Sequence, residues 1–323
     1  MSPSRRNPFG RRPNRLRRAV DLTTRIGSVT LPNPVMTASG TAGHGVELAP
    51  YLDLSALGAV VVKSLKAEPW PGNPPLRVHE VAGGMINSVG LQGPGVEAWM
   101  ADELPSLLAT GARVVASIWG TTVEEYEKAA SLLADAPSNV VAVEVNLSCP
   151  NTHAGRQMFA HDAGATAEAI AATEACGRPR WAKLSPNVTD MVPIADAAQR
   201  AGAEAVTLIN TVLGMAIDPA TRSYRLGSGA AGGGVSGSAV HAIAVRAVHD
   251  VHRALPSMPI IGVGGVSDGE TAAELLVAGA SAVQVGTATF ADPHAPERVL
   301  QGLRRWLEHQ GERRVTDVVG SVR

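Results

Sequence analysis

The sequence predicts an α/β chain folded as a single (β/α)8 barrel, on three observations. Eight short apolar runs have β-type composition, a helical pattern follows each of them, and polar or glycine residues stand wherever a run ends. The 323 residues, 45% of them hydrophobic with a mean hydropathy of +0.07, suffice for the core that such a barrel buries. In chain order, residues 1–20 read as a basic, solvated arm, because seven arginines lie between Arg5 and Arg18 with no acid among them. The barrel is assigned to 21–312 and a C-terminal tail to 313–323. Leu22 to Leu31, with a turn at Gly27–Ser28, is expected to form a hairpin that closes the barrel bottom. Strands are expected at Val35–Thr37, Ala59–Ser64, Val114–Ile118, Val141–Asn146, Trp181–Leu184, Ala205–Asn210, Pro259–Val263 and Ala282–Val285. Helices are expected near 46–57, 94–109, 122–135, 163–176, 189–201, 238–254, 268–279 and 295–309. Two of them carry candidate capping boxes, Thr122 with Glu125 and Ser267 with Glu270, in which each side chain would satisfy a free first-turn amide.

Composition removes several functional classes. Without the arm, 21 basic residues face 29 acidic ones, so the body sits near −8, and only 3% of residues are aromatic; a nucleic-acid surface is not expected. Cys149 and Cys176 lack the paired spacing of a zinc or iron–sulfur site, so neither a metal site nor a disulfide framework is expected, and a reducing, cytoplasmic setting fits. No run of about 18 apolar residues occurs, so no membrane span is expected. Cys176 ends a helix at the opposite face of the barrel and reads as structural. His44, His153 and His161 read as ordinary loop histidines.

In a barrel, reactive residues come from the C-terminal ends of the strands and the loops that follow. Those ends read Ser39–Gly40, Lys63–Ser64, Asn146 to Asn151, Lys183, Asn210–Thr211, Gly264–Gly265 and Gly286–Thr287. Any one of them could merely satisfy exposed backbone, but they converge on one face. The glycine pairs that end the last two strands match the place where barrels bind phosphate through loop amides, since a missing Cβ lets the backbone approach the oxygens. Lys63 and Lys183 would lie inside the barrel top, where an unpaired ammonium is costly; an anionic or electron-accepting ligand would offset that cost, as would a carboxylate such as Glu144. The thiol of Cys149 could serve as nucleophile, general base or buried filler. Two connections, 65–93 and the glycine-rich 211–237, are long enough to be functional or mobile.

Taken in order, these residues resemble the dihydroorotate dehydrogenase family across residues 21 to about 310. The matching motifs are Val35 to Gly40, Lys63-Ser64, Gly72-Asn-Pro74, Asn87 to Gln92, Asn146-Leu-Ser-Cys-Pro-Asn151, Lys183 to Asp190, Asn210-Thr211, Gly234 to Gly237, Gly264-Gly-Val266 and Gly286-Thr287. Cys149 is similar to the soluble branches, and Gly90-Leu-Gln92 with Met215 and Asp218 is similar to the NAD-linked one. The resemblance implies an FMN-dependent oxidation of dihydroorotate to orotate in pyrimidine biosynthesis. It also implies a homodimer working with a separate FAD and iron–sulfur electron-transfer subunit. This chain has no dinucleotide fingerprint after a strand and no iron–sulfur ligands of its own, so any use of NAD requires that partner.

By the same resemblance, FMN phosphate would rest on Gly264, Gly265, Gly286 and Thr287. Ser39, Ser64, Asn146, Ile209 and Gly237 would line the rest of the cofactor, with Lys63 and Lys183 facing its ring. Asn87, Ser88, Asn146, Asn151, Asn210 and Thr211, together with Lys63 and the backbone of Val89, Gly90 and Leu91, would hold the substrate. Cys149 would remove the proton from ring C5, Lys63 assisting. Departures from the family pattern are Ser117 where asparagine is usual, Trp119 where a small residue is usual, Gly93 within Leu91 to Gly95, and a longer loop before Gly237. They leave open a paralogue acting on another dihydropyrimidine or related ring. A flavin-free lyase or isomerase barrel would keep the glycines but use Lys183 as a Schiff-base former.

Overall fold

The computed structural model describes residues 19–149 and 157–323. Eight parallel strands form the barrel: β1 (Val35–Thr37), β2 (Val60–Val61), β3 (Val114–Ile118), β4 (Val140–Asn146), β5 (Arg180–Lys183), β6 (Ala205–Leu208), β7 (Ile260–Val263) and β8 (Ala282–Val285). Their order is β1-β8-β7-β6-β5-β4-β3-β2, and a parallel bridge between Met36 and Ala59 closes the ring. The fold is a single-domain TIM barrel. Strand β2 is shorter than expected, because Lys63 N leaves the ladder to donate to Gly43 O at 2.9 Å before Leu65 rejoins β3 through Ser117 O.

Alternation along each strand builds two cores. Outward residues pack against the helices, whereas Met36, Val61, Val115, Ala142, Trp181, Ala205, Ile261 and Ala282 fill the lower interior. The expected hairpin is present, Thr24–Ile26 paired antiparallel with Val29–Leu31, and its fully buried Ile26 and Leu31 join that lower layer as a plug. Two residues further up five of the strands, β3 to β6 and β8, the interior turns polar, at Ser117, Glu144, Lys183, Thr207 and Gln284. The top of the barrel is therefore where chemistry can sit.

Several helical expectations need correction. Residues 46–57 form successive turns and one 3-10 turn at Leu54–Ala56 rather than a helix, since Pro50 has no N–H to continue the ladder. The helix Gly269–Ala278 is capped one residue later than expected: Asp268 accepts from Thr271 N at 2.8 Å, and the Thr271 side chain accepts from Asp268 N. Ser267 and Glu270 do not form that box. Thr122 does cap Val123–Leu132 through Glu125 N, but the Glu125 carboxylate accepts from Thr121 N and pairs with Lys66.

The two long connections are ordered against each other. Val78–Val81 and Gly84–Asn87 from the first, with Val212–Gly214 and Gly233–Ser236 from the second, make a four-stranded antiparallel sheet over the barrel top. Residues 313–323 pack on the barrel through Val315 and Val318, with Asp21 bridging to Arg314.

Candidate active site

A cavity of about 810 Å³ opens between the strand ends and this small sheet. It gathers Ser39, Lys63, Ser64, Asn146, Lys183, Ile209, Asn210 and Thr211 from the barrel, and Asn87, Val89, Gly90, Leu91 and Gly237 from the connections. Gly264, Gly265, Gly286 and Thr287, which end β7 and β8, line it as well. The Ser88 side chain does not line the cavity; its hydroxyl is buried without a partner among the described residues. Asn151 and His153 lie outside the described residues. His44, read as an ordinary loop histidine, does line the cavity.

The glycine lining is tight. Gly265 has φ +69°, and a Cβ there would stand 2.6 Å from His241 Cβ, so only glycine keeps this backbone open toward a ligand. Thr287 donates its hydroxyl to Ser236 Oγ at 2.7 Å, tying the end of β8 to the sheet above.

The two lysines differ. Glu144 is fully buried and lies 3.7 Å from Lys183 Nζ; it also accepts from Gln284 at 2.8 Å, Thr207 at 3.2 Å and Ser117 at 3.4 Å. Five strands thus meet at one carboxylate. Lys63 has no ion-pair partner among the described residues. Burial first, then the neighbouring Lys183 charge, holds its pKa down at about 8. Removing the carboxylate in Glu144→Ala leaves Lys183 buried without a counter-charge. The cofactor-free protein is expected to lose roughly 3–5 kcal/mol, read as a lower urea unfolding midpoint.

Asparagines and serines continue the network toward the cavity. Asn210 donates to Asn146 Oδ1 at 3.1 Å, and Asn146 donates to Ser64 Oγ at 3.3 Å. Ser64 lies 3.1 Å from Ser39 and 3.0 Å from Ser117 through their hydroxyls. Ser117, the unusual residue of the third strand, extends this row to Glu144.

Cys149 follows Asn146, is fully buried and does not itself line the cavity, yet lies close enough to Lys63, which does, for that charge to act on its thiol. Its thiol donates to Asn146 O at 3.6 Å, and the phenol of fully buried Tyr126 donates to the same carbonyl at 2.6 Å. Burial pushes the thiol up to about 12, against the pull of Tyr126 and Lys63. Tyr126 was not singled out from sequence; its place in Thr122-Val-Glu-Glu-Tyr126 is that of any core residue of an amphipathic helix. Cys176 is a second buried, free thiol, bonded to Arg178 O. Among the described residues no group of three or more His, Cys, Asp or Glu could hold a metal ion, and no helix is long and apolar enough to cross a membrane.

A closed eight-stranded barrel with a large cavity at the strand C-termini, into which lysine, asparagine and serine side chains converge, defines a (β/α)8-barrel enzyme. The chain belongs to the dihydroorotate dehydrogenase family, whose sequence profile matches residues 21–307. It is 45% identical to the "Dihydroorotate dehydrogenase B (NAD(+)), catalytic subunit" of Pelobacter propionicus, over 94% of this chain and 98% of that protein. The protein of the same description from Desulforudis audaxviator is 47% identical over 92% and 96%. A Solibacter usitatus protein described as "Putative dihydroorotate dehydrogenase A (fumarate)" is 47% identical over 94% and 98%.

Proposed function

We infer that the chain oxidises dihydroorotate to orotate in pyrimidine biosynthesis, as the FMN-carrying catalytic subunit of a cytoplasmic enzyme. The observation that carries the reading is the pairing of a largely buried Lys63, which forms no ion pair among the described residues, with a glycine-lined cradle in one cavity. The cradle fits a phosphate, and the lysine fits an electron-accepting ring. FMN, when bound, supplies an acceptor for hydride. Gly264, Gly265, Gly286 and Thr287 hold its phosphate, and Lys63 and Lys183 place positive charge against its ring, with Ser39, Ser64, Ile209 and Gly237 around it. Asn87, Asn146, Asn210 and Thr211 present both donors and acceptors to the edges of the pyrimidine. The amides of Val89 to Leu91 take its carboxylate, and Cys149 takes the proton from C5.

The chain acts as a homodimer with an FAD and iron–sulfur partner, consistent with the description of its relatives as catalytic subunits. Leu213, Met215, Ile217 and Tyr224 are each about half exposed on the second connection and give a dimer an apolar surface to bury. The test is the visible spectrum of the purified chain before and after anaerobic addition of dihydroorotate. Yellow protein that bleaches with substrate, passes electrons to artificial dyes and barely reduces NAD is expected. Colourless protein that cannot be reconstituted with FMN sinks the reading, and robust NAD reduction by the pure chain contradicts the need for a partner.

A further inference from the structure

Resting on that reading, we propose that Trp70 and Asn73 are the positioning residues that turn the carboxylate-binding amides into the cavity, and that Trp119 and Lys66 brace them from behind. Three successive carbonyls of the turn are tied outward. Ser88 O accepts from Asn73 Nδ2 at 2.8 Å, Val89 O from Asn73 N at 2.9 Å, and Gly90 O from the Trp70 indole at 3.0 Å. A planar trans peptide points its N–H opposite to its C=O. The same three peptides therefore aim the N–H groups of Val89, Gly90 and Leu91 the other way, toward the cavity these residues line. None of the three amides has a partner among the described residues.

The turn does not hold this shape by itself. Leu91 sits at φ +60°, a left-handed conformation that persists in a non-glycine residue only where its surroundings impose it. Gly90 and Gly72 permit the close approach: a Cβ on Gly90 would meet Asn73 at 2.7 Å, and one on Gly72 would meet Val89 O at 2.6 Å. Trp70 is anchored in turn. Its backbone exchanges two hydrogen bonds with Gly93, and its ring packs edge-on against buried Trp119, centroids 5.6 Å apart. The Lys66 ammonium lies 4.6 Å from the Trp70 ring and 5.7 Å from that of Trp119, and is held by Glu125 at 2.7 Å. Trp119, a departure from the family pattern, thus acts on the substrate turn without itself lining the cavity.

The experiment uses the FMN-loaded chain and the variants Trp70→Phe, Asn73→Ala and Trp119→Ala; Trp70 and Asn73 are exposed, so those two fold as the parent does. Orotate affinity is measured by calorimetry, with uracil, which lacks the carboxylate, as the comparison. KM for dihydroorotate is measured alongside. Because hydrogen bonds to a charged group are strong, orotate is expected to bind about tenfold or more weakly to each variant, and KM to rise in proportion. Uracil affinity, FMN content and kcat are expected to stay within about threefold. Orotate binding as tight in both Trp70→Phe and Asn73→Ala as in the parent overturns the inference, as does equal weakening for uracil. A parent that neither binds orotate nor oxidises dihydroorotate overturns the function itself, which separates the two failures.

Discussion

Cys149→Ala is expected to keep FMN bound yet to slow flavin bleaching by dihydroorotate at least ~100-fold, the usual scale of general-base catalysis. The glycines proposed to cradle the cofactor phosphate end β7 and β8, whereas Cys149 follows β4, so cofactor content should not follow the rate. Cys149→Ser should retain part of the rate, and Cys176→Ala should change little. Since burial holds the thiol up to about 12, the parent's bleaching rate should climb with pH and continue past the ordinary thiol range near about 8.5. Anaerobic stopped-flow reads both effects apart from the later acceptor. Cys149→Ala bleaching at the parental rate sinks the base assignment, and a plateau near 8.5 shows that burial does not hold the thiol neutral.

Lys63→Met is expected to move stability and activity in opposite directions. The folded-state pKa of Lys63 is depressed from 10.5 to about 8, so the folded chain disfavours the charged form. That cost is full below about pH 8 and is relieved as the pH rises toward 10.5. It amounts to about 3 kcal/mol, at 1.36 kcal/mol per pKa unit. The cofactor-free variant should therefore unfold at higher urea than the parent at pH 7, and the gap should narrow by pH 10. With FMN and substrate the same variant should bleach ~100-fold or more slowly, because the cation proposed to face the ring is lost. A variant no more stable than its parent at pH 7 shows that the ammonium carries no burial cost. Parental bleaching removes Lys63 from the chemistry.

Much of this was legible in residue order. Val35–Thr37, Val114–Ile118 and Ala282–Val285 were read to the residue, because parallel strands buried on both faces appear as short apolar runs between turns. The same reading overran in the segment 46–57, where the apolar spacing suited a helix but Pro50 forbade its hydrogen bonds. At Ser267 the pattern for a cap was present one residue before the side chain that makes it, since Ser267 and Asp268 are equally good caps by composition and only the backbone angle chooses.

The site divides along the same line. Glycines at strand ends, two lysines ending apolar strands and an asparagine-rich set of motifs are chemical facts of the chain, and they determined by themselves that a ligand cavity stands at one end of a barrel. Which lysine is paired was decided only by the fold. Lys183 and Glu144 meet because β4 and β5 are in parallel register, with Glu144 opposite Trp181 and Asn146 opposite Lys183, while Lys63 leaves its ladder and forms no ion pair among the described residues. The burial of the Cys149 thiol against Asn146 O, the sheet formed by two connections far apart in sequence, and the contact of Trp70 with Trp119 were likewise settled in three dimensions. Local periodicity says which face a residue takes; the shear and closure of the barrel decide which residue it faces, and that carries no local signal.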